Sequence, residues 1–91
     1  MRTNMKPYVL CHPWKYFPQA ETSSEKWILD DLHGNRVAYI YFDNDTQDYL
    51  YRAATKSKAV FGHIKDPQHA MDKIERNIRI KIVSDRLKTL L

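Results

Sequence analysis

The sequence predicts an α+β fold, a small antiparallel sheet of two or three strands packed on one face by two helices. Three observations predict it. Residues 27–30 and 36–42 are strand-like runs joined by His33-Gly34-Asn35, and Gly34 and Asn35 are residue types that accept the positive φ of a tight hairpin. The second run leads straight into Asp43-Asn44-Asp45, a cluster of helix N-cap residues. Asp66-Pro67 then pairs an N-cap with a proline at the first helical position, ahead of apolar residues at helical spacing.

The elements follow in chain order. Residues 1–24 read as a frayed start, a strand over 7–11 opened by Pro7, and an aromatic loop between Pro13 and Pro18 that carries Trp14, Tyr16 and Phe17. Residues 19–24 are a polar surface connection. Residues 25–42 form the hairpin. In its second strand Ala38, Ile40 and Phe42 share one face and Val37, Tyr39 and Tyr41 the other, so one side should cover helices and the other be exposed or meet a partner.

Residues 43–62 are expected to be a helix. Leu50, Ala53, Ala54, Ser57 and Phe61 fall at i, i+3, i+4 spacing, and Gly62 suits the residue past its end. In 66–91, Ala70, Met71, Ile74, Ile78 and Ile82 occupy one helical face. Beyond Ile78 two readings compete. A continuing helix would turn Ile80, Val83 and Leu87 toward a second subunit; alternatively 78–82 is an alternating strand followed by a short helix. The lack of Gly or Pro between Glu75 and Asp85 favours the helix.

Ninety-one residues suit one domain, and 43% hydrophobic with 12% aromatic residues sets the chain apart from disordered sequences. A single cysteine, Cys11, precludes an internal disulfide and favours a reducing compartment. With no apolar run near the length of a membrane span, the expectation is a cytoplasmic protein with no membrane partner. Residues 1–51 hold five basic against seven acidic side chains, and residues 52–91 hold ten against four. So polarised a chain suits nucleic acid or an acidic protein as partner.

Signals for chemistry are sparse. Residues 38–46, an apolar strand ending in Asp43-Asn44-Asp45-Thr46, resemble the opening of the haloacid dehalogenase phosphotransferase site, which would make Asp43 a nucleophile and Asp45 its acid–base partner. That family also needs a later lysine and a later acidic pair on further strands, and the 45 residues after Thr46 contain no Asp-Asp pair or second buried strand, so capping is the preferred role for this cluster. Asp48 stands where a calcium loop needs Gly. Cys11, His12, His33, His63 and His69 lack the paired spacing of a zinc site. No phosphate-binding glycine loop is present, and the expectation is a non-enzyme with no cofactor and no metal. The candidate partner-binding residues are Trp14, Tyr16, Tyr39, Tyr41, Arg76, Arg79, Lys81 and Arg86, with a homodimer through Ile80, Val83 and Leu87 as a further expectation.

The pattern Trp27-x-Leu29-Asp30, Gly34-Asn35-x-Val37-Ala38 and then Tyr51-Arg52-Ala53-Ala54 resembles small accessory proteins of bacteriophages over about a third of the chain. His33 in the turn, the aromatic N-terminal loop and the long basic C-terminal segment depart from that pattern. The resemblance implies a non-catalytic phage or mobile-element protein that binds and inhibits or modulates a host protein or nucleoprotein complex. Inhibitors of CRISPR or nuclease defences are the best-known such class. The alternative is a module that binds nucleic acid directly through its basic C-terminal half.

Overall fold

The computed structural model describes residues 8–84 and is dominated by strands. In chain order it contains β1 (Val9–Cys11), β2 (Lys15–Phe17), β3 (Lys26–Asp30), β4 (Arg36–Asp43), β5 (Asp48–Ala54), β6 (Ala59–Ile64), α1 (Pro67–Ile78) and β7 (Ile80–Ile82). Strands β2 to β6 form a five-stranded antiparallel sheet in sequence order, while β1 and β7 pair in parallel. The expected pair of helices on a two- or three-stranded sheet is therefore corrected to one helix and seven strands among the described residues.

The hairpin forms, with Gly34 and not Asn35 taking the positive φ of its turn. Asp31 organises it: Oδ1 accepts from the backbone N–H of His33 and of Asn35, both at 2.9 Å, and Gly34 takes φ 87°. These backbone bonds, that from Asn35 foremost, hold the Asp31 carboxyl below its usual pKa. The register shifts between Leu29 and Asp30, so Val37 is bulged and reaches the core together with Ala38.

The helix expected over 43–62 is replaced by the end of β4, β5 and β6. Asp43 Oδ1 accepts from the Asp45 N–H at 2.9 Å, its carbonyl accepts from the Gln47 N–H at 2.8 Å, and Gln47 takes φ 61°. A short Asp side chain that bonds the backbone two residues on can start a helix or close a turn. Here it closes a turn, because β4 pairs residue by residue with β5 from Ala38↔Ala53 to Asp43↔Asp48. Gly62 is no helix terminus either. It lies opposite Tyr51 in β6, where a Cβ would stand 2.9 Å from the Tyr51 hydroxyl oxygen.

Asp66 and Pro67 act as their sequence suggests: Asp66 Oδ1 accepts from the Gln68 N–H at 2.9 Å, and Pro67 opens α1. Ala70, Ile74 and Ile78 point from α1 into the core, which also holds the fully buried Leu29, Ile40 and Cys11. The favoured continuation of the helix past Ile78 is corrected. Arg79 adopts the left-handed conformation (φ 59°, ψ 52°), donates its N–H to the Glu75 carbonyl and turns the chain into β7. Strand β1 offers a ready partner: Val9, Leu10 and Cys11 pair with Ile80, Lys81 and Ile82. Ile80 packs against the core and Val83 is buried within the protomer, its N–H bonded to the Cys11 carbonyl at 2.9 Å. Two of the three residues expected to form a dimer are thus used internally; the third, Leu87, lies outside the described residues, as does the helix expected to follow 78–82.

Candidate functional site

Alternation along β2 to β6 sorts their side chains onto two faces. One carries Trp27, Leu29, Ala38, Ile40, Tyr51, Ala53 and Val60 and is covered by α1, which packs on β4, β5 and β6. No described element covers the other. Read across the paired strands, one of its rows runs Lys15, Ile28, Tyr39, Arg52, Phe61 and the next runs Phe17, Lys26, Tyr41, Leu50, His63. Phe61 is 76% exposed and Phe17 is 40% exposed, values more typical of a contact surface than of a sheet interior.

The side chains of this open face hold one another in place. Tyr39 and Tyr41 stack with ring centroids 5.8 Å apart and planes 22° apart, and the Lys26 ammonium lies 5.7 Å from the Phe17 ring centre. Asp30 Oδ1 accepts from Arg36 Nε at 3.0 Å, and Lys15 lies 3.9 Å from the other carboxylate oxygen. Arg52 is exposed between Tyr39 and Phe61 in its row and forms no ion pair with any described residue. Beside Lys26, Tyr39 and Tyr41, a shallow depression of about 360 Å³ opens on the same face.

The residues singled out from sequence do not form one surface. Tyr39 and Tyr41 lie on the open face, as the alternation in β4 predicts. Trp14 is part of the fold: its Nε1 donates to Glu75 Oε2 at 2.8 Å and ties the aromatic loop to α1. That loop also contains β2, an edge strand between its two prolines. Tyr16 belongs to a second aromatic cluster on the helix side, with its centroid 4.9 Å from that of Trp27. There Glu25 accepts from the hydroxyls of Tyr16 and Tyr49, both at 2.6 Å. These bonds hold the Glu25 carboxyl below its usual range and push Tyr49 up to about 12. Arg76 and Arg79 stand at the C-terminal end of α1, Lys81 is exposed in β7, and Arg86 lies outside the described residues.

Sequence reasoning set Phe17 in the aromatic loop and missed Arg52 and Phe61 as part of the open face. The signal was the period-two alternation of 48–54 and 59–64, hidden behind an equally good helical spacing.

The clusters of polar side chains lack the geometry of the chemistries weighed from sequence. Asp43 and Asp45 sit at a hairpin turn of an antiparallel sheet, whereas a haloacid dehalogenase site needs a doubly wound parallel one. Thr46, Asp48 and His63 cluster, but the Asp48 carboxylate (2.9 Å) and the Thr46 hydroxyl (3.5 Å) both face His63 Nδ1. A nucleophile–base–carboxylate triad needs its hydroxyl and its carboxylate on opposite ring nitrogens. Burial, helped by Asp31, pushes the Cys11 thiol up to about 11, so at neutral pH it is a packed core thiol. Among the described residues no group of three or more His, Cys, Asp or Glu is placed to hold a metal ion, and no helix is long and apolar enough to cross a membrane. Comparison with protein families, curated proteins and solved structures finds no match for this chain.

Proposed function

We propose that this chain is a non-catalytic binding protein of a phage or mobile element. It docks its open sheet face on an acidic surface of a host protein or nucleoprotein complex and inhibits or modulates it. The observation that carries this reading is the uncovered pair of rows with Phe17, Tyr39, Tyr41 and Phe61 around the cations Lys26 and Arg52. Interface centres are enriched in aromatic residues and arginine. A protein partner is the better fit because three of the four rings already have one face engaged, Tyr39 and Tyr41 on each other and Phe17 under Lys26, which leaves Phe61 as the open ring. A platform that stacks nucleobases needs those faces free. Arg52, with no carboxylate of its own among the described residues, supplies the charge complementarity to an acidic rim. The working location is the host cytoplasm, where a reduced Cys11 persists.

The test is a pull-down from host lysate with and without nuclease, run beside the double variant Arg52→Glu, Phe61→Ala. The reading predicts a protein that survives nuclease treatment, is lost with the double variant and loses activity on adding one equivalent of the wild-type chain. A partner that needs nucleic acid, or that the double variant still captures, overturns it.

A further inference from the structure

We infer that the cleft between the β5–β6 turn and the C-terminal end of α1 is a phosphate-binding site, on a different surface from the open sheet face and independent of it. The cleft measures about 690 Å³. Its walls carry four cations, Lys56 and Lys58 from the turn and Arg76 and Arg79 from the helix end, and no acidic residue is among its lining residues. None of the four forms an ion pair with a described residue. Glu75, the carboxylate nearest in sequence to Arg76, is turned away to the Trp14 indole.

A cation near a helix C-terminus can serve the helix dipole alone, and Arg76 in the last turn fits that role. Two observations go further. Lys56 and Lys58 belong to another element and owe nothing to the helix. Their turn is held by three bonds: the Thr55 N–H donates to the Lys58 carbonyl at 2.7 Å, the Thr55 hydroxyl to the same carbonyl at 3.3 Å, and the Lys58 N–H to that hydroxyl at 3.2 Å. Secondly, Arg79 stands in the left-handed conformation, where backbone ease would select Gly or Asn. An arginine at such a position, lining one cleft with two lysines and a second arginine, points to a ligand with several negative charges. Guanidinium forks match phosphate oxygens in pairs, and the Ser57 hydroxyl and Asn77 amide in the lining add neutral donors. The phosphates can come from a nucleic-acid backbone or from a smaller phosphorylated ligand.

The test is fluorescence polarisation with a labelled mixed-sequence single strand from 50 to 300 mM NaCl, beside isothermal titration with sodium triphosphate and with short poly-glutamate. The inference predicts binding of the strand with a log–log salt slope of about −3, since four neutralised phosphates contribute about −0.7 each. Lys56→Ala, Lys58→Ala together should weaken binding at least about tenfold and flatten the slope by about 1.4. Arg52→Glu, on the other face, should leave the slope unchanged. Saturable triphosphate binding with no preference for the strand would identify a small phosphorylated ligand as the source; a strand preference would identify the nucleic-acid backbone. No binding in either phosphate arm, binding unaffected by the double lysine variant, or poly-glutamate binding as tightly at equal charge would each overturn the inference. Failure here leaves the pull-down result untouched, because the two sites share no residue.

Discussion

The two faces of the five-stranded sheet are built from similar residues and meet opposite fates. The helix side carries Trp27, Phe42, Tyr49 and Tyr51; the open side carries Phe17, Tyr39, Tyr41 and Phe61. Aromatic content alone does not decide which face is core. The difference lies in what sits between the rings. On the covered side the intervening residues are small or aliphatic (Ala38, Ile40, Ala53, Gly62), which lets α1 approach with Ala70 and Ile74. On the open side Ile28 and Leu50 are interspersed with Lys15, Lys26, Arg52 and His63, whose charged or polar heads would be stranded beneath a helix.

The comparison breaks most sharply at the core. Ile74→Ala, at a fully buried position on the core face of α1, should cost about 2–5 kcal/mol in urea unfolding. Tyr39→Ala on the open face removes a half-buried ring stacked on Tyr41 and should cost only about 1 kcal/mol. Equal losses would mean that the open face is structural.

Next in size is Gly62→Ala. Its new Cβ would meet the Tyr51 hydroxyl oxygen at 2.9 Å and ring carbons at 3.1 and 3.3 Å, on the face under α1. A loss of about 1–3 kcal/mol is expected, partly recovered when combined with Tyr51→Phe. A purely additive double variant would show that the strand, and not the ring, resents the methyl group.

A smaller effect is set by pH. Glu25 is held low by the hydroxyls of Tyr16 and Tyr49, so its contribution is present above the usual 4.5 and fades as pH falls through its folded value. Tyr49 is raised to about 12, so its contribution is complete below 10 and is lost as pH rises toward 12. Thermal melts from pH 3 to 11 should show Glu25→Gln with shallower losses at both extremes than the wild type.

The smallest effects come from the strained backbone. Gln47→Gly and Arg79→Gly each relieve a left-handed residue and should stabilise the fold by up to about 1 kcal/mol. The two variants separate stability from binding, because only Arg79→Gly removes a cation from the phosphate cleft.

How much of this was legible in the sequence depends on where each determinant lies. The 27–42 hairpin and the start of α1 were readable because Asp31, Gly34, Asp66 and Pro67 act on backbone groups within a few residues of themselves. The two-faced character of β4 was readable from its alternation, which placed Tyr39 and Tyr41 on the uncovered side but put Val37 there too, whereas the bulge turns Val37 into the core. Residues 48–64 were not, since Leu50, Ala53, Ala54 and Phe61 satisfy a helical period while Tyr49, Tyr51 and Ala53 satisfy a strand period. The decision was made by β4, a partner whose pairing no local pattern reveals. The same holds at 80–82, where β1 supplies the neighbour. The basic cleft could not be read at all, because its two lysines and two arginines come from elements that only the fold brings together.

The parallel pairing of β1 with β7 also sets an order in time. Val9 meets Ile80 across about seventy residues of chain, which at 5–20 residues per second is a delay of several seconds during synthesis. The β2–β6 hairpins, by contrast, are local and form in microseconds. A nascent chain therefore holds a nearly finished sheet while β1 waits for its neighbour. Until β7 docks, Cys11 lacks Ile82 beside it and the Val83 N–H at its carbonyl, so its thiol should react faster with alkylating reagents than in the folded protein. Loss of Cys11 reactivity is a built-in clock for the last step of folding, readable on stalled chains by pulse alkylation.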